Sequence, residues 1–422
     1  MLKSTLGTFG SKFIGAVLNF LVIVLLSQHL GPGGKGEASL ILTSIAIILI
    51  FGNLIGGAPV VYYTPRKSTK QLLTIAYLWC FVVSILAYAL LYFLSIGIDQ
   101  TWNKSIAVLS LIEGFTAVNL AVLIGKEKVA KNNIVSVVKS VTLVGFLFLL
   151  FQTKELASLD DYIIALYASF ILSFVVSIVF LYPLIDHKNP EGEASLFKAI
   201  LRNGVFNQMA YILQFLSFRI GYYIINKEIG EEELGVYSNA ISIAESIWLI
   251  SRSIALVQFS RIVNNDDQQS NQLLTIKLFK LTLILSIIAL LVLNSLPSEF
   301  YLFVFGSEFG GIKNIILWIS PGILAFNLFL IFGHYFSGVD QFKTLTVAAA
   351  VGFIVALIGI FLFVDQLGSE GVAFATSISL LVSMGILWKT FLSTTGAQLS
   401  HFFIKRGDFA QFFQLIKNLK SR

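Results

Sequence analysis

Apolar runs of about twenty residues follow one another along this chain, separated only by short polar or basic stretches. A helix needs a run of about that length to cross the ~30 Å hydrocarbon core of a bilayer. The runs fall near 13–30, 38–63, 72–96, 105–125, 133–151 and 161–182, then near 202–226, 235–260, 276–296, 312–336, 343–364 and 371–389. Only 12% of the residues are charged, where a soluble chain of this length carries about a quarter. A core buried against itself still needs a polar shell, and this sequence has too little polar surface to make one. The expected fold class is therefore all-α: a polytopic membrane protein of about twelve transmembrane helices in two pseudo-symmetric six-helix bundles. Basic residues at Lys3 and Lys12 precede the first run and give it the look of a signal sequence. Its length and the missing small-residue cleavage site point instead to a retained first helix.

Orientation follows from where Lys and Arg sit. With the first residues inside, the cytoplasmic stretches hold 21 basic residues, from Lys3 and Lys12 through Arg66, Lys67 and Lys70 to Lys417, Lys420 and Arg422. The opposite loops hold five: Lys35, Lys104, Lys154, Lys227 and Lys313. Both termini are therefore expected on the cytoplasmic side of the membrane. One cysteine, Cys80, excludes an internal disulfide, and the histidines (His29, His187, His334, His401) show no metal-ligand spacing. No cofactor or nucleic-acid partner is expected.

The two sets of six runs resemble each other. Leu30-Gly31-Pro32-Gly33-Gly34-Lys35-Gly36-Glu37-Ala38-Ser39 leads into the second run, and Ile229-Gly230-Glu231-Glu232-Glu233-Leu234-Gly235-Val236-Tyr237-Ser238 leads into the eighth. Gly125-Lys126-Glu127-Lys128 ends the fourth, and Gly338-Val339-Asp340-Gln341 ends the tenth. Repeats an even number of spans apart share one orientation, and such parallel repeats place a transport site at their interface. The expected organisation is a six-helix bundle over 1–185, a polar cytoplasmic linker over 186–200, and a second bundle over 201–392. A basic amphipathic tail follows over 393–422. In it Phe402, Phe409, Phe412, Phe413, Ile416 and Leu419 share one helix side, flanked by Lys405, Arg406, Lys417 and Lys420, which suits the anionic leaflet surface.

At these residues the chain resembles the multidrug/oligosaccharidyl-lipid/polysaccharide (MOP) exporter superfamily. It most resembles the Wzx-type flippases of O-antigen, capsule and exopolysaccharide assembly. The resemblance rests on the runs LSQHLGPGGKGEASLILTSIAIILI, LGVYSNAISIAESIWLISRSIALVQFSRI and SPGILAFNLFLIFGHYFSGVDQFKT, with LGSEGVAFATSISLLV after the last. It implies transfer of an undecaprenyl-pyrophosphate-linked oligosaccharide from the cytoplasmic to the outer leaflet by alternating access, without covalent chemistry. Membrane lipids, a coupling H⁺ or Na⁺, and other polysaccharide-assembly membrane proteins are the partners it implies.

Five ionisable residues lie within runs, where each costs about 2.5–3.5 kcal/mol on insertion scales: Glu113, Lys139, Arg219, Glu245 and Arg252. Arg252 lies nine residues from Arg261, or roughly 13 Å into the membrane. A guanidinium grips phosphate oxygens through a rigid fork and stays charged at any physiological pH. Arg252, Arg219 and Lys139 are the candidate cationic ligands for an anionic head group. The alternatives are structural ion pairs, and snorkelling for Arg219 and Lys139. Glu113 and Glu245 are candidate ion-coupling residues or charge balance, and Glu113 can pair with Lys139 where their helices touch. Ser238, Ser242, Glu245, Trp248 and Arg252 recur at helical spacing as one stripe. Asn203, Asn207 and Gln214, together with that stripe's Ser238, Ser242 and Trp248, are the candidate polar lining for a saccharide path. Ordinary helix–helix hydrogen bonding explains them equally well. Two other functions compete: a cation-coupled drug exporter of the same superfamily, and a membrane polymerase or ligase of lipid-linked sugars. The short loops disfavour the second, and no phosphate-binding P-loop pattern occurs.

Overall fold

The computed structural model describes residues 2–94, 99–153, 157–186, 193–263, 265 and 267–404; the side chains of some helical residues, Asn203 and Asn207 among them, lie outside that description. Among the described residues every regular element is a helix. In order they are α1 (Leu2–Gly56), α2 (Ala58–Tyr63), α3 (Thr69–Leu94), α4 (Asn103–Gly125), α5 (Val129–Thr153), α6 (Leu159–Leu181) and α7 (Glu193–Glu228). Then come α8 (Glu231–Glu245), α9 (Trp248–Val263), α10 (Gln268–Ser295), α11 (Ser298–Phe305), α12 (Ile312–Gly338) and α13 (Phe342–Thr395).

Among the described residues, eight helices are long and apolar enough to cross a membrane. Two of these, Phe13–Tyr63 with 51 residues and Phe342–Thr395 with 54, are each long enough to cross twice. Both are broken at a glycine with positive φ: Gly31 (66°) in α1 and Gly368 (58°) in α13. Without a Cβ, glycine takes that conformation at no steric cost. Taken together, α8 and α9 are also long and apolar enough to cross, with a bend of 41° between them, and the turn at Ser246–Ile247 switches to the shorter i→i−3 bonding. Helix α7 begins at Glu193, inside the stretch 186–200 expected to be linker, because Glu193–Lys198 carries no breaker after Pro190 and Gly192. The expected amphipathic tail lies outside the described residues from 405 onward.

The outward faces show the inverse of a soluble protein. Phe93, Val179, Phe303, Leu291, Phe361 and Leu362 are all exposed, while Ser44, Asn119, Ser251 and Asn327 are buried. A helix satisfies most of its backbone polar groups internally, which is what permits apolar side chains to face hydrocarbon. The protein is a multi-pass membrane protein.

By packing, the chain divides into two compact units: one of Met1–Ile212, Tyr222–Ser238 and Tyr301–Gly310, the other of Leu213–Gly221, Asn239–Phe300 and Gly311–Arg422. The core of the first unit is aliphatic. Leu26, Ile41 and Ile45 of α1 meet Leu109 of α4 and Tyr162, Leu166 and Phe170 of α6. In the second unit, rings dominate: Phe279, Phe332, Trp388, Phe391 and Phe402 lie with centroids 5.0–6.2 Å apart. Helix α12 passes through Pro321 without breaking. Pro321 is followed by Gly322, whose N–H donates to Ser377 Oγ at 3.1 Å, while that hydroxyl donates to the Trp318 carbonyl at 2.7 Å. Ser377 thus relays the intrahelical bond, and only a glycine admits it, since a Cβ at 322 would lie 2.7 Å from Ser377 Cα.

The internal repeat recurs as geometry. Helices α4 and α12 end identically: Lys128 N–H bonds the Leu123 carbonyl at 2.8 Å, and Gln341 N–H bonds the Phe336 carbonyl at 2.8 Å. This six-to-one bond closes a Schellman-type end. It forces a positive φ on Glu127 (59°) and Asp340 (61°), the only non-glycine residues so strained among those described.

Candidate functional site

Among the described residues, an ion pair between ionisable residues of membrane helices occurs in each compact unit. In the first unit, Lys139 Nζ of α5 donates to Glu113 Oε1 of α4 at 2.5 Å. The ammonium also lies 4.5 Å from the centre of the Phe170 ring. In the second, Arg219 Nη2 of α7 donates to Glu245 Oε2 of α8 at 2.8 Å. These side chains are mostly withdrawn, at 32% and 14% exposure for the first pair and 18% and 16% for the second. In both pairs the second carboxylate oxygen, Glu113 Oε2 or Glu245 Oε1, is buried with no hydrogen-bond partner. A buried acceptor of that kind is costly.

Arg252 differs. Its side chain is exposed, its guanidinium carbon lies 5.3 Å from the Trp248 ring centre, and no carboxylate among the described residues pairs with it. Trp248 itself is buried against Phe218 and Phe326, with centroids 4.7 and 4.4 Å away, and its Nε1 has no acceptor. The stripe expected along one helix from Ser238 to Arg252 is interrupted by the bend after Glu245. Ser238, at its far end, is buried and belongs to the first unit. Ser242 and Gln214 are half-buried in the second unit. The side chains of Asn203 and Asn207 lie outside the described residues.

Sequence reasoning counted Lys35 only as an outer-loop base. In the structure it is 5% exposed, and its Nζ donates to Ser39 Oγ at 2.7 Å and to Ser238 Oγ at 3.0 Å. The two serine oxygens are 2.9 Å apart and stand 199 residues apart in sequence, at equivalent positions of the repeat. Around them the segments 31–39 and 230–238 cross backbone to backbone. A Cβ on Gly36 would lie 2.1 Å from the Glu231 carbonyl oxygen, and one on Gly235 would lie 1.9 Å from that of Pro32. The contact is reciprocal, and Gly31 and Gly230 both adopt positive φ beside it. The signal was in the sequence as paired glycines at one spacing, but only the fold brings them together.

A second polar node joins three elements of the first unit. Asp186 accepts from Lys126 Nζ at 2.6 Å, Thr69 N–H at 2.8 Å and Thr69 Oγ1 at 3.0 Å. Burial alone would raise the Asp186 carboxyl, but the Lys126 ammonium and the two Thr69 donors outweigh it and hold it below the ordinary carboxylate range. Inside the second unit, Asn327 bridges Ser251 and Ser286 at 2.6 and 2.9 Å.

The sequence pattern of the family described as "Polysaccharide biosynthesis protein" matches residues 29–314. No curated protein sequence matches the chain. Among solved structures, the fold is similar to an inward-facing multidrug resistance MATE family transporter of the MOP superfamily. The TM-score is 0.73 at 13% identity, covering 90% of this chain and 95% of that one. It is equally similar to the lipid II flippase MurJ in an inward closed conformation, with TM-score 0.73, 16% identity and coverage of 95% and 89%. A MOP superfamily transporter from Pyrococcus furiosus aligns with TM-score 0.65 at 12% identity over 94% and 96%. With the match spanning more than half of its length, and with the helical fold that MOP superfamily transporters share, this chain belongs to the polysaccharide biosynthesis protein family.

Proposed function

We propose that this protein is a flippase carrying undecaprenyl-pyrophosphate-linked oligosaccharide from the cytoplasmic to the outer leaflet of the bacterial inner membrane by alternating access. It crosses twelve times: the two long helices cross twice each, and α7 and the bent α8–α9 pair supply one span apiece. Both termini are cytoplasmic, which puts the Lys35 crossing on the outer side and the Asp186 node on the inner side. The observation that carries the reading is Arg252, an exposed guanidinium with no carboxylate partner among the described residues, on a membrane helix of a polysaccharide biosynthesis family member. A pyrophosphate is the ligand such a fork suits. The polyprenyl tail stays in lipid throughout, so the protein shelters only the charged and hydroxylated head group. In this reading Arg219 and Lys139 are cations held in reserve by Glu245 and Glu113. The unfilled carboxylate oxygens are where H⁺ or Na⁺ enters to release them.

Depletion in the native host tests this. Undecaprenyl-linked oligosaccharide should accumulate on the cytoplasmic leaflet and return to normal when the intact chain is restored. Single repeat units reaching the outer leaflet unpolymerised would make the protein a polymerase. Unchanged glycolipids with altered drug tolerance would make it a drug exporter.

A further inference from the structure

A cleft of about 350 Å³ runs along the surface of the first unit between α3 and α4. Phe81, Ile85, Val108 and Leu111 give it apolar walls, and the first three are exposed. On a membrane protein such walls face hydrocarbon, and a lipid chain fills them where water would not. Three polar groups interrupt the lining: Ser84 and Tyr88 of α3, and Lys104 of α4. Helix α4 starts soon after α3 ends, so Tyr88 and Lys104 mark the same end of the cleft. Leu111, two turns on from Lys104, lies roughly 10 Å deeper.

Lys104 sits in the first turn of α4, next to the polar connection that holds Asp99 and Gln100, and so at the membrane surface. It is exposed, and no carboxylate among the described residues pairs with it. The helix dipole opposes a cation in that turn, so α4 itself does not call for a lysine there. Ser84, one turn deeper than Tyr88, is 5% exposed, yet its hydroxyl has no hydrogen-bond partner among the described residues. Ser27, Ser44 and Ser110, by contrast, each bond the carbonyl four residues back. A phospholipid presents the complementary order: a phosphate at the bilayer surface, ester carbonyls just beneath it, and acyl chains below.

We propose that the α3–α4 cleft binds an anionic diacyl phospholipid, with its phosphate on Lys104, an ester carbonyl on the Ser84 hydroxyl, and one acyl chain between Phe81, Ile85, Val108 and Leu111. The ligand is a lipid of the surrounding membrane rather than cargo, so the site stands apart from the flippase reading.

The full-length protein is placed in phosphatidylcholine nanodiscs with a trace of phosphatidylglycerol carrying a diazirine on one acyl chain, or of phosphatidylcholine with the same chain. Irradiation and peptide mass spectrometry read the labelling of 81–88 and 104–111, with the exposed Leu291 and Val292 of α10 as control. Phosphatidylglycerol should label the cleft about 5-fold more than phosphatidylcholine, the preference that one lysine near the membrane surface confers. The two lipids should label α10 alike. Lys104→Gln should abolish the preference, and Lys104→Arg should keep it. Ser84→Ala should lower cleft labelling by both lipids, since both carry the ester; unchanged labelling would remove Ser84 from the site. Equal labelling of the cleft by the two lipids, or a preference that survives Lys104→Gln or is as strong on α10, would overturn the assignment. So would a cleft that neither lipid labels. Loss of phosphatidylglycerol labelling on adding inorganic phosphate would make it a site for a free anion, and stronger labelling by a photoreactive polyprenyl phosphate would give it to another lipid; either overturns the proposal.

Discussion

The glycine crossing yields a prediction whose size follows from the coordinates. In Gly235→Ala the new Cβ starts 1.9 Å from the Pro32 carbonyl oxygen, with Pro32 C at 2.7 Å and Cα at 2.9 Å. All three are backbone atoms, so no side-chain rotation relieves the clash. To bring 1.9 Å out to the 3.0 Å that real Cβ atoms respect, the segments must part by about 1.1 Å. That displacement stretches the Lys35–Ser238 bond from 3.0 Å beyond hydrogen-bond range. Overpacking of this kind costs about 1–3 kcal/mol, which raises the population with the seam between 31–39 and 230–238 parted roughly 5- to 150-fold at 1.4 kcal/mol per decade. Gly36→Ala makes the reciprocal clash, at 2.1 Å with Glu231 O, and should cost about as much. Because both clashes are relieved by the same separation, the double variant should cost little more than either single one. The assay is the rate at which a maleimide labels a Thr43→Cys reporter, Thr43 being buried one turn beyond Ser39, in the parent, both singles and the double, analysed as a double-mutant cycle. Gly352→Ala serves as a control: its Cβ meets chiefly the Ser383 hydroxyl, which can rotate away, in the other compact unit. Additive costs, or a parent-like rate in Gly235→Ala, would refute the crossing as the element that holds the seam.

Other outcomes follow from the polar nodes. Arg252→Ala should abolish carrier flipping at normal membrane levels while Lys restores part of it, measured by carrier leaflet distribution; a fully active Ala variant removes Arg252 from the cargo path. Glu113→Gln leaves the Lys139 charge half-buried without its partner, and so should lower protein yield more than the double variant Glu113→Gln/Lys139→Met; equal yields would show that the pair carries no such constraint. Asn327→Leu removes the amide that links Ser251 to Ser286 and should cost about 0.6–1.7 kcal/mol in a detergent unfolding titration, a change in midpoint that a wild-type curve would deny. The Asp186 carboxyl is held below its unfolded value, so its contribution is present above the unfolded pKa near 4 and is lost as pH falls through the folded one. Thermal stability in detergent should thus be flat from about pH 7 to 5 and fall toward pH 3, with a shallower fall in Asp186→Asn; identical slopes would mean the node contributes nothing.

The sequence by itself determined the solvent and the class of fold. Apolar runs of membrane-spanning length leave no aqueous solution, so helices that satisfy their own backbone are forced, and local composition suffices to see it. It also determined the repeat, since Gly31, Gly36 and Ser39 match Gly230, Gly235 and Ser238 residue for residue, as Gly125 matches Gly338. What sequence did not carry was which polar groups meet. Glu113 finds Lys139 and Arg219 finds Glu245 across helix faces, and a helical stripe predicted to run unbroken through Arg252 bends at Ser246. Lys35 looked like one more loop base until the fold buried it between two serines 199 residues apart. The reason is physical: hydropathy is a property of each segment in lipid, whereas a pairing depends on the rotation and depth of two helices at once. Those are set by glycine contacts and ring packing that no single segment encodes.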